Sequence, residues 1–394
     1  MFKVTFAFEN GSEVEAFANA GDNLLEVARG ANVAIDAPCS GNGACGKCRV
    51  QLKSGELESK KTLHISDEEY QAGWRLSCCS KISADVNVLV PDIASAYKSR
   101  MKVADLSSKE EIAIFENAKS DIQLAGIELK NSLEVVDVLM DVPSLDDTMP
   151  DNERLTRALR KYLNINRVRI PYVVLKKLPD VLRENNFAVK CVIRATSDDM
   201  YVYDIFGKDE DVVIGGLAID IGTTTVSAVL INMENGEILA KSSAGNGQIR
   251  FGADVINRIV ESQKPGGQKK LQDAVIKETI NPMIHEMCKS AKFPKDHIYR
   301  MCVASNTTMN HLFAGINADP LRTEPYIPAF FKTNSLFASD VGVDINKDAH
   351  IIMAPNIGSY VGGDITAGTL VSQIWNRPEF SLFIDLGTNG ELVF

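Results

Sequence analysis

From Lys3 to Phe8 and again from Glu13 to Ala18, apolar and polar residues alternate, and the intervening Glu9-Asn10-Gly11-Ser12 carries the Asn-Gly dipeptide that favours tight hairpins. The pattern predicts two paired strands. Asp22 stands where a helix cap would, ahead of Leu24, Leu25, Val27 and Ala28, which fall largely on one helical face. Lys47 to Leu52 and Val86 to Val90 read as further strands. A hairpin, a crossing helix and later strands within the first ninety or so residues make a β-grasp sheet.

The pattern changes after Pro91. Lys109 to Ala118 places Ile112, Ile114 and Phe115 among charged residues and predicts some helix in a connecting stretch. Leu133 to Val142, Val189 to Ala195 and Met200 to Phe206 are strand-like, with helical spacing over Asn152 to Tyr162 and Leu175 to Glu184. Together they predict a compact α+β unit. Its run of carboxylates, Asp146, Asp147, Asp151 and Glu153, reads as a solvated loop in preference to a metal site. Beyond Gly215, an apolar strand Leu217-Ala-Ile leads into Asp220-Ile-Gly222-Thr223-Thr224-Thr225 and a returning strand. The same grammar recurs 165 residues later as Leu382-Phe-Ile-Asp385-Leu-Gly387-Thr388-Asn389-Gly390, again followed by apolar residues. This internal repeat predicts two similar hairpins in related lobes. Glycine and threonine in such a turn offer N–H and hydroxyl donors to a phosphate, and the aspartate can hold Mg2+ or a water.

Composition narrows the class. With 394 residues, 45% of them hydrophobic and 24% charged, the chain can hold several cores. No apolar run approaches the roughly 18 to 20 residues that span a bilayer, and the alternating start lacks the layout of a secretion signal, so a cytoplasmic protein without a membrane role is expected. A net charge of −10 argues against nucleic acid as a partner.

Five of the eight cysteines lie between Cys39 and Cys79. Their spacing is C-x5-C-x2-C through Cys39, Cys45 and Cys48, then x29 to Cys78 or x30 to Cys79. Clustering in a reducing compartment points to metal ligation over a disulfide framework. A four-cysteine zinc site would show two C-x2-C pairs, and one is present. Gly41, Gly43 and Gly46 leave room for backbone N–H groups to approach negatively charged sulfur. Cys191, Cys288 and Cys302 read as inert core residues, and the five histidines show no ligand-like spacing.

The spacing resembles that of the 2Fe-2S ferredoxins, and Arg75-Leu-Ser-Cys78 resembles the segment that supplies their fourth ligand. The resemblance implies a 2Fe-2S cluster on Cys39, Cys45, Cys48 and Cys78, with Cys79 a neighbour pointing the other way. The paired Asp-Gly-Thr turns resemble the two phosphate loops of the superfamily of actin, the heat-shock chaperone ATPases and the sugar kinases. With Ser305-Asn306-Thr307-Thr308-Met309 and Asn356-Ile-Gly358-Ser-Tyr-Val-Gly362-Gly363-Asp364, the whole chain is similar to the reductive activators of corrinoid proteins.

That resemblance implies a multidomain fold of α+β and α/β parts: a β-grasp ferredoxin over 1–92, a linker over 93–130, a small α+β middle domain over 131–210, and over 211–394 the first lobe and start of the second of an actin-like, ribonuclease-H-like ATPase domain. It implies ATP and Mg2+ held by Asp220, Gly222, Thr223, Thr224, Thr225, Asp385, Gly387, Thr388 and Asn389, with Asp364 positioning water or magnesium. Two local readings stay beside it: Asn306 and Thr307 as a helix cap, and Asp364 as the N-cap of a helix over Thr366 to Ser372. The implied activity is ATP-dependent, one-electron reduction of cob(II)alamin to cob(I)alamin on a corrinoid protein of a methyltransferase system, supplied by an upstream low-potential donor. The family carries further residues after the strand that ends at Phe394, so a truncated chain is expected. An apolar last strand leaves homodimerisation open, and a 2Fe-2S electron carrier with a docking module that lacks ATPase activity is the alternative. Activators of radical dehydratases, with a shared 4Fe-4S cluster, do not fit the cysteine spacing.

Overall fold

A computed structural model describes residues 1–8, 13–31, 33, 35, 37, 41, 43, 46–91, 109–129, 132–163, 165–252, 254–333, 336–386 and 390–394. Asn10-Gly11, Cys39, Cys45, Gly387, Thr388 and Asn389 lie outside the described residues. Three sheets of four to six strands organise the described residues, with two two-stranded sheets beside them.

The first comprises β1 (Phe2–Phe8), β2 (Glu13–Ala18), β3 (Arg49–Ser54), β5 (Trp74–Leu76) and β7 (Val86–Val90) in the order β2-β1-β7-β3-β5. Short strands β4 (Leu57–Ser59) and β6 (Ser80–Ile82) pair alongside, and helices α1 (Leu24–Gly30) and α2 (Asp67–Gln71) complete the unit. β1 runs antiparallel to β2 and parallel to β7, as in a β-grasp fold. Val4 and Phe6 from β1 meet Leu24, Leu25 and Ala28 from α1 in one core. The cap of α1 is Asn23, whose side chain accepts from Leu25 N at 3.0 Å. Asp22 instead accepts from the amide of Asn19 at 2.7 Å, closing the preceding turn. Both residue types can cap, so only the position of the turn decides between them.

The helix expected near Lys109 extends as α3 (Lys109–Leu124). The next unit is β8 (Leu133–Leu139), α4 (Asp151–Leu163), β9 (Arg167–Arg169), α5 (Tyr172–Glu184), β10 (Ala188–Ala195) and β11 (Asp199–Gly207), with sheet order β8-β10-β11-β9. Of the carboxylate run, Asp146 and Glu153 are exposed, while Asp147 and Asp151 are paired. Asp147 pairs at 2.7 Å with Arg154, whose guanidinium is buried, and Asp151 pairs with Arg183 at 2.8 Å. These carboxylates anchor α4.

The third unit starts with β12 (Gly215–Ile221), β13 (Thr225–Asn232) and β14 (Ile238–Gly245), followed by α6 (Val255–Ser262), α7 (Gly267–Val275), a π-helical turn and α8 (Asn281–Ala291). Then come β15 (Ile298–Ala304), α9 (Thr307–Ala314), β16 (Leu336–Phe337), α10 (Ala338–Val341), β17 (His350–Met353), α11 (Gly363–Ser372), β18 (Phe383–Leu386) and β19 (Gly390–Val393). The main sheet runs β14-β13-β12-β15-β17-β16. Strands β12, β15 and β17 are parallel and β13 is antiparallel to its neighbours, the strand order and directions of a ribonuclease-H-like lobe. Strands β18 and β19 form a separate hairpin.

The second and third units share a core of Leu133, Val192, Tyr203, Val212, Ile214 and Tyr299. The first unit faces the third differently: α1 contributes Glu26, Arg29 and Gly30 to a cavity of about 350 Å³ whose other lining includes Arg250, Lys270, Asp273 and Glu278. Apolar packing joins two units, whereas a charged, water-accessible gap lies beside the ferredoxin helix.

Candidate functional site

In the first unit the described thiols gather at the end of β5. Cys48 is buried and its Sγ lies 3.1 Å from Cys78 Sγ. Cys78 Sγ is 3.6 Å from Cys79 Sγ. Residues Ser77–Cys79 form a single 3-10 turn, so successive side chains are about 120° apart and Cys79 does not point away from Cys78 as it would in a strand. The expectation that it does is corrected. The glycine loop closes over these sulfurs: a Cβ on Gly41 would lie 3.6 Å from Cys78 Cβ, and one on Gly43 would lie 3.1 Å from Cys79 Sγ. Both glycines have positive φ, +92° and +74°, which a side chain would strain.

This environment fits a metal cluster. Two thiolates on one tetrahedral metal with bonds of about 2.3 Å stand about 3.8 Å apart, a small opening from the observed separation. Without a cation, two thiols this close cannot both ionise. Hydrogen bonding with Cys78 pulls the Cys48 pKa down to about 6 against the effect of burial, and the same contact holds Cys78 protonated. Ser77 is fully buried and its hydroxyl lies toward Cys48, a contact that favours the Cys48 thiolate. Cys39 and Cys45 would complete the ligand set. Cys302, expected in the core, is exposed on β15, while Cys191 and Cys288 are buried.

In the third unit the first Asp-Gly-Thr sequence is a hairpin, and the strands that flank the second are paired antiparallel. Asp220 pairs across the first with Ser227, and Asp385 across the second with Glu391. The first turn is held from beneath. Gly222 N donates to Thr225 O at 2.9 Å, and a Cβ on Gly222 would stand 2.8 Å from that oxygen. Asn246 donates through Nδ2 to Gly222 O at 2.9 Å and through its amide to Thr224 O at 2.8 Å. Arg258, fully buried on α6, donates to Thr223 O, to Gly252 O at 2.8 Å and to Gln248 Oε1 at 3.1 Å. With these carbonyls held from the protein side, the turn is fixed in shape. Asn246 and Arg258 were not singled out from sequence, although Arg258 shares the inward stripe of α6 with Val255, Ile259 and Ser262. A charge on an apolar face was the legible signal.

Asp220 is open to solvent on one side yet hemmed in by protein, and burial followed by the charges of Asp364 and Asp385 pushes its carboxyl up to about 6. Burial, with the Asp385 charge adding to it, raises Asp364, and burial with the charges of Asp364 and Asp385 raises Glu391. Two hairpins and one helix therefore aim four carboxylates into a common field. Among the described residues these carboxylates do not converge closely enough to form a ready metal site. Asp364 sits in the first turn of α11, whose N-cap is Gly362, so its reading as the cap itself is corrected. The Gly362-Gly363 pair is a packing contact: a Cβ on Gly362 would meet Ser305 O and Asn306 Cα, each at 2.4 Å, and Gly363 N donates to Ser305 O at 2.7 Å.

The Ser305 to Asn310 segment is largely internal. Asn306 caps α9, accepting from Met309 N at 2.9 Å. Thr307 Oγ1 donates to Gly358 O at 2.5 Å, and Asn310 Nδ2 donates to Asn356 Oδ1 at 2.7 Å. The two sequence landmarks are thus halves of one buried polar network that fixes α11 against α9.

The fold and these sites define a class: a ferredoxin domain with a 2Fe-2S cluster loop ahead of an α+β unit and a ribonuclease-H-like lobe. Family models agree with each part. Residues 7–83 match the 2Fe-2S iron-sulfur cluster binding domain, 122–212 the RACo linker region, and 215–377 the RACo middle region. Together the three matches cover most of the chain and make it similar to the reductive activators of corrinoid proteins. It is 28% identical over 371 residues to the corrinoid activation enzyme RamQ of Eubacterium limosum, covering 94% of this chain and 55% of RamQ. A solved structure of a reductive activator for corrinoid, iron-sulfur protein superposes with a TM-score of 0.60 at 33% identity, covering 100% of this chain and 61% of that one. A component of the Na(+)-translocating NADH-quinone reductase of Actinobacillus pleuropneumoniae is 33% identical over 91 residues, 23% of this chain and 22% of that component. The chain thus spans little more than half the length of the activators it matches.

Proposed function

We propose that this chain delivers single electrons to a corrinoid protein, reducing cob(II)alamin to cob(I)alamin, in a reaction coupled to ATP. The observation that carries the reading is the joining, in one chain, of the Cys48–Cys78 sulfur pair under a glycine loop to an Asp-Gly-Thr turn braced by Asn246 and Arg258. Cys39, Cys45, Cys48 and Cys78 would hold the 2Fe-2S cluster, which supplies one-electron transfer when bound. The surrounding Leu25, Leu76 and Ser77 keep water from Cys48, and an upstream low-potential donor would refill the site.

In the third unit, Gly222, Thr223, Thr224 and Thr225 would present N–H and hydroxyl donors to phosphate from one hairpin, and Gly387, Thr388 and Asn389 from the other. Asp220, Asp364 and Asp385 would meet Mg2+, whose charge would offset the burial and the neighbouring carboxylates that raise Asp220. ATP can drive an uphill electron transfer only by altering how the partner or its cobalt is bound.

Anaerobic purification with iron and sulfide assay, followed by ATP turnover with and without a cob(II)alamin-loaded corrinoid protein, tests this. A two-iron spectrum and partner-stimulated ATP turnover are expected. A two-iron spectrum with no nucleotide response would make the chain an electron carrier, and no iron would remove the cluster assignment.

A further inference from the structure

We propose that Cys79 is a reserve ligand of the cluster, able to take the coordination position of Cys78. The inference rests on the cluster reading above. Cys79 Sγ lies 3.6 Å from Cys78 Sγ, about the spacing of two sulfurs on one metal. It faces the cluster loop, because a Cβ on Gly43 would approach it to 3.1 Å. The adjoining Ser77 is fully buried with its hydroxyl lying toward Cys48, which fixes the start of the turn on the sulfur side. A 3-10 turn puts both cysteines on the loop side, so a swap needs rotation of the turn and no strand slippage.

The exchange is balanced. Cys79 loses its thiol proton and forms the iron–sulfur bond, and Cys78, leaving iron, takes up a proton. One thiolate replaces another, so the charge and oxidation state of the cluster are unchanged. The same movement would preserve the cluster where Cys78 has been oxidised or removed.

Full-length Cys78→Ala, Cys79→Ala and the double variant are purified anaerobically and assayed for iron, sulfide, visible spectrum and electron paramagnetic resonance of the reduced form. Cys78→Ala is expected to hold at least about half of the wild-type iron with shifted g-values, Cys79→Ala to hold full iron, and the double variant to fall below about a tenth. Cys78→Ala as empty as the double variant overturns the proposal, as does Cys79→Ala losing its iron. Wild type without iron overturns the cluster reading itself. Should Cys78→Ala fail to fold, Cys78→Ser decides: an all-sulfur spectrum supports the swap, and an oxygen-ligated one overturns it.

Discussion

Arg258 shows how much one buried side chain can fix. Its guanidinium supplies donors to the carbonyls of Thr223 and Gly252 and to Gln248 inside the core of the third unit. Arg258→Met keeps much of the apolar stem and leaves those acceptors without a donor, each costing about 1 to 3 kcal/mol. A loss of about 3 kcal/mol in urea denaturation is expected, together with weaker nucleotide binding by calorimetric titration. Asp220 works in the opposite sense. Its folded-state pKa of about 6 lies above the ordinary 3.8, so between those values the folded chain keeps a proton that the unfolded chain has released. Stability falls as pH rises through that window. Asp220→Asn should therefore raise the melting temperature more at about pH 7 than at about pH 4, and an equal effect at both would refute the raised carboxyl that burial and the neighbouring charges produce. The cysteine spacing and the Asp-Gly-Thr repeat were legible because both are short local patterns. Arg258 was only half legible: its helical stripe is local, but its partners lie 6 to 35 residues away.

Among the elements, α11 and its approach carry the second hairpin. Gly362 lets the backbone before α11 lie on Ser305 and Asn306, and Gly368 leaves space for the Phe383 ring, since a Cβ there would come within 2.4 Å of it. Gly362→Ala sets a methyl against backbone atoms that cannot rotate away. A loss of about 1 to 3 kcal/mol is expected by thermal unfolding, with crosspeaks of α9 shifted in NMR spectra of the folded protein. Amphipathic spacing predicted most helices and strands, with end shifts of a few residues. The capping assignments failed at Asp22 and Asp364 because Asn23 caps α1 and Gly362, which makes no side-chain cap bond, starts α11, and the choice falls to the path of the preceding chain.

At the scale of the molecule, the second and third units meet through an apolar core and the ferredoxin borders the third across charged side chains. Ile214→Ala, in the shared core, is expected to cost about 2 to 5 kcal/mol. In scanning calorimetry of the full chain it should lower one transition containing both units, and leave the cluster-bleaching temperature of the ferredoxin unchanged. Two separately shifted transitions would show that the core does not couple them.

The sequence alone determined the chemistry that depends on spacing: the thiol set, the glycine loop and the twin hairpins, because each is written within a few residues. Tertiary structure decided what depends on distant segments meeting. It put Cys48 beside Cys78, set Arg258 beneath the first hairpin, and joined Ser305 to Gly363 in one network. The physical reason is that a buried polar group must find its partner wherever the fold provides one, and no local pattern records where that is.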